Sequence, residues 1–178
     1  GKDSFEWAEI SMLQDAIEIS QQKAKLQNQD INGYIGGDLN NQITACNYTA
    51  KDFNRPFMGV YAACSTIGLG IANASLLISN GALNNANVLA VSHNATAERQ
   101  FRYPVEYGIQ KPETTTFTAT GATSVILSNV MSKVKVGSVT LGKVTDLDQS
   151  DANDMGRAMA PAAFDTLQTH LKDLNRDG

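Results

Sequence analysis

The chain has 178 residues, of which 42% are hydrophobic and 18% are charged, and its formal net charge is −4. This length is enough for one domain with a sizeable core, or for a piece of a larger one. The acidic balance and the lack of a basic stripe argue against nucleic-acid binding, and no run approaches the about 18 apolar residues of a membrane span. Cys46 and Cys64 are too few for a disulfide framework, which favours a reducing, intracellular setting.

The spacing of apolar residues predicts helices and strands that alternate along the first half of the chain. The first helix is expected at 5–27, where Asp3 and Glu6 form a capping box in front of the apolar positions. The next elements, in chain order, are expected to be a strand at 30–40, a helix at 41–53, a strand at 57–64, a helix at 65–81 and a strand at 87–94.

The second half of the chain begins with a long irregular stretch at 95–115. A strand rich in β-branched residues is then expected at 117–129 and an alternating, exposed strand at 133–146, and the stretch 154–174 is expected to end in an amphipathic helix. Because helices alternate with strands, we predict a three-layer α/β fold with a mainly parallel sheet. The chain opens almost directly on a helix signal and closes on a turn, so we expect it to be an internal piece of a longer protein.

Cys64 lies where a predicted strand passes into a predicted helix, in the stretch VYAACSTIG. Ligands of parallel sheets collect at the carboxyl ends of the strands. The free N–H groups and the dipole of a helix amino terminus can activate a thiol or cradle an oxyanion. The alternative is a sulfur that is simply buried, since cysteine is among the residues most often found in cores.

Asp38 and His93 end the predicted strands on either side of the one that leads to Cys64. If these strands are parallel neighbours, all three side chains open onto one crevice, and a cysteine with a histidine is the minimum for a thiolate nucleophile. The competing interpretations are a loop or capping histidine at His93 and a turn residue at Asp38, after Gly36 and Gly37.

Arg99 and Arg102 lie in the long stretch that follows His93. Two arginines beside aromatic rings could hold a planar carboxylate ligand by forked hydrogen bonds and stacking. A solvated loop whose arginines pair with its own glutamates is an equally good interpretation. The aromatic rings are those of Phe101, Tyr103 and Tyr107, and the glutamates are Glu98, Glu106 and Glu113. No metal-ligand spacing and no phosphate loop is present, so we predict neither a metal nor a cofactor.

The motifs ACSTIG, LLISNG, NVLAVSHN and TGATSVILS together resemble the amino-terminal half of the thiolase and ketoacyl synthase superfamily. The resemblance implies a thiolase-like three-layer α/β fold with an antiparallel edge strand, in which Cys64 occupies the position of the acyl-accepting nucleophile. It divides the chain into an amino-terminal half at 1–150, without its first strand, and a linker with the first helix of the second half at 151–178. The superfamily's remaining catalytic residues come from that second half, so none can be assigned here.

A more specific resemblance rests on SHNATAERQFRYPVEYGIQKP (92–112), DMGRAMAPAAFDT (154–166) and GDLNNQ (37–42). These stretches are similar to the stage V sporulation protein AD family of spore-forming Firmicutes. The resemblance implies a non-enzymatic protein that binds dipicolinic acid, pyridine-2,6-dicarboxylate, and assists its uptake into the developing spore. It places the protein in the forespore, peripheral at the inner spore membrane, with membrane proteins of the same sporulation operon as partners.

A dianionic aromatic ligand suits a helix amino terminus, arginines and aromatic rings. The expected ligand-binding residues are therefore Asp38, Cys64, His93, Arg99 and Arg102. Asp38 carries a like charge, and it would have to orient a neighbour or share a cation such as calcium with the ligand.

Two other functions stay open at this point. One is a Cys64-dependent acyltransferase or condensing enzyme, and the other is a scaffold within a membrane complex. The superfamily usually forms homodimers through an edge strand, which adds a second copy of the chain to the expected partners.

Overall fold

The computed structural model describes residues 1–102 and 110–175. It divides into two compact units. The first unit is formed by Gly1–Gln100 with Thr118–Lys135, and the second by Phe101–Phe117 with Val136–Gly178. Within the described residues, no helix combines the length and the apolar character that crossing a membrane demands.

Helix α1, Phe5–Ala24, begins the first unit and packs one side against the core. Its amino-terminal cap is Ser4, whose hydroxyl oxygen accepts a hydrogen bond from the Trp7 N–H at 3.2 Å, instead of the predicted pair of Asp3 and Glu6. The helix ends where Lys25 adopts a left-handed conformation, with φ at 57°. Four residues of this helix are buried, namely Glu9, Ile10, Leu13 and Ile17.

The first unit is built on a four-stranded sheet in the order β2-β1-β3-β4. The strands are β1 Gly33–Asp38, β2 Phe57–Gly59, β3 Asn85–Ser92 and β4 Gly121–Ser128. Strand β1 pairs in parallel with both β2 and β3, and β4 runs antiparallel to β3 from Gly121 to Ser128. The prediction of a mainly parallel sheet with an antiparallel edge strand is confirmed.

Helices cover both faces of this sheet, so the unit has three layers. Helix α1 and helix α2, Thr44–Ala50, pack on one face, and helix α3, Thr66–Ser79, packs on the other. The first face contributes Leu13, Tyr34, Cys46, Leu89 and Val91 to its core, and the second contributes Ile35, Ala74, Ala86 and Val88. Burial of both faces explains why β1 is buried along its whole length.

Two glycines let β1 approach its neighbours closely. A Cβ on Gly36 would lie 2.6 Å from Leu89 Cβ, and one on Gly37 would overlap the carbonyl oxygen of Val60. Val60 in turn donates its backbone N–H to the Gly36 carbonyl at 2.9 Å. The Gly-Gly pair therefore seats the segment that leads to Cys64 directly against β1.

The region after β3 differs from the sequence prediction. Helix α4, Asn94–Phe101, occupies the start of the stretch expected to be irregular. The prediction of a strand at 133–146 is wrong, because none of these residues is in a strand.

In the second unit, residues of that segment instead contact the last helix, α5, Met155–Asp173, through side chains. The Thr140 hydroxyl lies 2.9 Å from His170 Nδ1, and Lys143 forms an ion pair with Asp165 at 3.2 Å. The amphipathic helix expected at the end of the stretch 154–174 is present as α5, and it occupies nearly the whole stretch.

Candidate functional site

Cys64 lies between β2 and α3, on a segment that is held by hydrogen bonds. It belongs to a short 3-10 helix, Ala63–Ser65, that passes directly into α3. The Thr66 hydroxyl fixes this segment, since it accepts a hydrogen bond from the Ala62 N–H at 3.1 Å and donates one to the Ala63 carbonyl at 2.8 Å. The side chain of Cys64 is exposed and its thiol is free. The sequence placed Cys64 at the end of a strand, whereas β2 ends at Gly59, so this segment positions the thiol.

The residue before Cys64 holds a backbone conformation that is uncommon for a residue with a Cβ. Ala63 has a φ of 45°. Left-handed conformations outside glycine cost free energy, and they cluster at functional sites where the surrounding structure maintains them. The hydrogen bonds of Thr66 stabilise this conformation. The chain therefore turns sharply and exposes Cys64 to solvent just before a 14-residue helix.

Asp38 is turned into the protein. It is 2% exposed, and its carboxylate accepts hydrogen bonds from the backbone N–H groups of Ala45 at 2.6 Å and Cys46 at 2.8 Å. Burial raises the pKa of this carboxyl, while the two backbone bonds oppose the rise. Asp38 thus joins the end of β1 to the first turn of α2, and its carboxylate is occupied by the protein's own backbone.

Glu9 is a buried acid that reasoning from the sequence did not identify. It is 5% exposed, and its Oε1 accepts a hydrogen bond from the Thr96 hydroxyl at 3.3 Å. Burial and the nearby charge of Asp38 raise the pKa of Glu9 to about 7. One signal was available, because Glu9 stands four residues before Leu13 and therefore on the buried side of α1.

His93 and Arg99 both contact the first turn of α1. The ring of His93 lies 4.6 Å from the ring of Phe5, and its Nδ1 accepts a hydrogen bond from the Ala95 N–H at 3.2 Å. Arg99 Nη2 lies 4.0 Å from Glu6 Oε1, and 65% of the Arg99 side chain is exposed. Phe5 and Glu6 are consecutive, so two of the predicted site residues contact the same turn of α1.

Arg102 belongs to the second unit. It is 9% exposed, its Nε donates a hydrogen bond to the Ala152 carbonyl at 3.2 Å, and its Nη2 lies 3.6 Å from Met155 Sδ. These contacts give Arg102 a structural role near the start of α5. Tyr103, Tyr107 and Glu106, which the sequence placed beside the arginines, lie outside the described residues.

The predicted site therefore divides into parts. His93 and Arg99 adjoin the first turn of α1, Cys64 is exposed before α3, and Asp38 is buried beneath α2. Strands β2, β1 and β3 are parallel neighbours, as expected. In residues 1–102 and 110–175, no group of three or more histidine, cysteine or acidic side chains is arranged to hold a metal ion.

The sheet order, the layers and the strand-to-helix position of Cys64 define a thiolase-like α/β protein. Solved structures with this fold include AbyA1, a tetronic acid condensing enzyme, with a TM-score of 0.62 and 16% identity over 93% of this chain and 58% of that one. Another is 3-oxoacyl-(acyl carrier protein) synthase III from Pseudomonas aeruginosa PAO1, with a TM-score of 0.59 and 16% identity over 94% of this chain and 56% of that one. At such identities the likeness concerns the fold.

The sequence itself matches a more particular group. The model of the stage V sporulation protein AD family matches residues 1–178. The stage V sporulation protein AD of Bacillus subtilis (strain 168) is 47% identical over 173 residues, which are 97% of this chain and 51% of that protein. The chain belongs to the stage V sporulation protein AD family, and it spans about half the length of this curated relative.

Proposed function

We propose that this chain, as part of a stage V sporulation protein AD, binds dipicolinic acid and assists its uptake into the developing spore. Membership of the family supports the role in sporulation. The observation that carries the ligand is the exposed guanidinium of Arg99, which pairs with Glu6 in the same turn of α1 whose Phe5 ring contacts His93. Location in the forespore at the inner spore membrane, and partners among membrane proteins of the same operon, belong to this proposal and rest on the family.

The chemistry of the ligand fits this surface. Dipicolinate is a flat aromatic ring with two carboxylates, and guanidinium groups pair with carboxylates through two parallel hydrogen bonds. Phe5 is 46% exposed, so one ring of the pair is open for stacking. Among the described residues Arg99 forms an ion pair with Glu6 at 4.0 Å, and exposed ion pairs of this kind contribute about 0–1 kcal/mol. A ligand carboxylate can therefore replace Glu6 at little cost.

The other predicted residues take different parts in the proposal. Cys64 lies before α3, on the opposite face of the sheet from α1, and its helix amino terminus is a separate place for an anionic group rather than part of the Arg99 surface. Asp38 acts as a positioning residue, because it fixes the first turn of α2 from inside the protein. The like charge of Asp38 is thereby kept away from the ligand, and a shared calcium ion is not required to accommodate it.

Calorimetry with the natural full-length protein tests the ligand. Dipicolinate should bind at least about tenfold more tightly than picolinate, which lacks the second carboxylate, since a charge-assisted hydrogen bond contributes about 1.5–3 kcal/mol. Absence of measurable heat at millimolar dipicolinate would exclude the proposal. Equal affinity for both compounds would exclude recognition of the dicarboxylate.

A second function is favoured by a different observation, the exposed Cys64 behind the left-handed Ala63. A thiol presented in this way could accept an acyl group from a thioester, as a transferase or condensing enzyme requires. Incubation with acyl-coenzyme A followed by mass spectrometry tests this function, with Cys64→Ala as the control. A stable acyl adduct on Cys64 would favour the enzyme, and its absence together with dipicolinate binding would favour the binding protein.

A further inference from the structure

A cavity of about 270 Å³ lies between α1 and α2. It is lined by Glu6, Trp7, Ile10, Thr44 and Tyr48. Trp7 and Tyr48 are each 54% exposed, although Ile10 beside them is buried. Half-exposed tryptophan and tyrosine side chains around a depression are characteristic of surfaces that bind a partner.

The electrostatics of the cavity favour a cation. The backbone N–H of Glu6 and the Ser4 hydroxyl lower the pKa of the Glu6 carboxyl, so it is ionised at neutral pH. The flat faces of tryptophan and tyrosine attract cations.

The adjoining helix amino termini do not offset this preference, because their amides already have partners within the chain. In α1, the Trp7 and Ala8 N–H groups donate to Ser4. In α2, the Ala45 and Cys46 N–H groups donate to Asp38. Arg99 Nη2 lies 4.0 Å from Glu6 Oε1, but this exposed ion pair is weak and involves one of the two carboxylate oxygens. The two aromatic rings and the Glu6 carboxylate therefore set the preference of the cavity for a cation.

We propose that this cavity, the α1–α2 cavity, receives an arginine side chain of a partner protein. A guanidinium is planar, stacks on aromatic rings and forms paired hydrogen bonds with a carboxylate, whereas the ammonium of lysine is a strongly hydrated point charge. A volume of about 270 Å³ gives the cavity room for one long side chain. The net charge of −4 gives the whole chain the complementary sign for a basic partner.

The proposal does not depend on dipicolinate, and its test uses a different signal. Trp7 is the only tryptophan in the sequence, so the fluorescence of the full chain reports on this cavity directly. The probe is N-acetyl-arginine methylamide, compared with the corresponding lysine, leucine and glutamate compounds. We expect a saturable change of Trp7 emission with the arginine compound, a several-fold weaker response with lysine, and none with leucine or glutamate.

Two variants examine the parts of the cavity. Tyr48→Ala should weaken binding of the arginine compound about two- to fivefold, and Tyr48→Phe should retain it, because the ring supplies the attraction. Glu6→Gln should weaken it about two- to fivefold through loss of the carboxylate. Tyr61→Ala, at an exposed tyrosine that does not line the cavity, is the matched control. Circular dichroism confirms that each variant is folded.

Three results would overturn the proposal. The first is no change of Trp7 emission up to about 50 mM of the arginine compound, a concentration that would detect even very weak binding. The second is an equal response to leucine, which would make the cavity a general apolar slot. The third is a stronger response to glutamate, which would reverse the charge preference.

Discussion

The carboxylate of Asp38 accepts a hydrogen bond from the backbone N–H of Cys46 at 2.8 Å, and so the last residue of β1 caps the start of α2. A second bond, from Ala45 at 2.6 Å, occupies the other carboxylate oxygen. The end of the glycine-rich strand is thus tied to the helix packed above it. Asp38 thereby fixes the position of α2, which forms one wall of the α1–α2 cavity, although the Asp38 side chain itself is buried.

Replacement of Asp38 by alanine should destabilise the first unit. Two buried backbone N–H groups would lose their acceptor, and loss of a cap or a buried acceptor costs about 1–3 kcal/mol. Relief from burying the carboxylate offsets part of this cost, so we expect a net loss of about 1–2 kcal/mol in the free energy of unfolding. Urea unfolding measures it. Asp38→Asn, which keeps one acceptor, should lose less, and a variant as stable as the wild type would contradict the capping role.

Glu9 should make stability depend on pH. Its pKa is about 7 in the folded protein, against an ordinary value of 4.5. Between these values the unfolded chain releases the proton while the folded chain retains it, so stability falls as pH rises through this window and levels off above it. The rise in the Glu9 pKa corresponds to a loss of at most about 3 kcal/mol in the free energy of unfolding across this window.

The Glu9→Gln variant isolates this effect. We expect its stability relative to the wild type to increase between about pH 5 and pH 7 and then to stay constant, since glutamine does not titrate. Urea unfolding at several pH values gives the comparison, and Glu18→Gln, at an exposed position on the same helix, is the matched control. If the difference in unfolding free energy between Glu9→Gln and the wild type does not change with pH, Glu9 is not a buried carboxyl with a raised pKa.

The two cysteines should differ in reactivity. Cys64 is exposed, whereas Cys46 is 0% exposed and burial raises the pKa of its thiol. A thiol reagent should therefore modify one cysteine per folded chain and both after denaturation, because the thiolate is the reactive form. Mass spectrometry of the labelled peptide should identify Cys64. Modification of Cys46 in the folded chain at a comparable rate would contradict the burial of the α2 core.

The Gly37→Ala variant should displace the segment that carries Cys64. A Cβ on Gly37 would overlap the Val60 carbonyl oxygen, which the adjacent backbone bond holds in place. We expect a destabilisation of about 1–3 kcal/mol, as for overpacking elsewhere, together with an altered rate of Cys64 labelling.

Gly68→Ala is the matched control for this glycine. Gly68 lies in α3, and a Cβ there meets no atom within 4 Å. Alanine should stabilise the helix by about 0.5–1 kcal/mol and leave Cys64 labelling unchanged. If the two glycine variants behave alike, close packing of β1 against Val60 does not position the thiol.

Much of the fold could be predicted because its strands are apolar runs between clear turn signals. The prediction of a strand at 133–146 was wrong because a strand also needs a neighbouring strand for its backbone hydrogen bonds, and alternation of apolar and polar residues does not supply one. In that segment Thr140 and Lys143 contact side chains of α5 instead. Helix α4 was missed because it is short and polar and follows β3 at once.

The sequence predicted where the candidate side chains lie along the chain, but not how they are oriented. Asp38 ends β1 and His93 follows the end of β3, as the sequence predicted, but the pattern does not reveal that the Asp38 side chain turns inward to the amides of α2. Glu9 escaped notice since glutamate is rarely buried, and its partner Thr96 lies 87 residues away in sequence. The contact between Phe5 and His93 likewise depends on tertiary structure.

The proposal that Arg99 recognises a ligand carboxylate is tested most directly by calorimetry of dipicolinate with the Arg99→Ala variant of the full-length protein. Arg157→Ala, which removes the same charge from an exposed position on α5, serves as the control. Loss of a charge-assisted hydrogen bond should weaken binding at least about tenfold in Arg99→Ala, and Arg157→Ala should bind as the wild type does. Unchanged affinity in Arg99→Ala would contradict the proposed site.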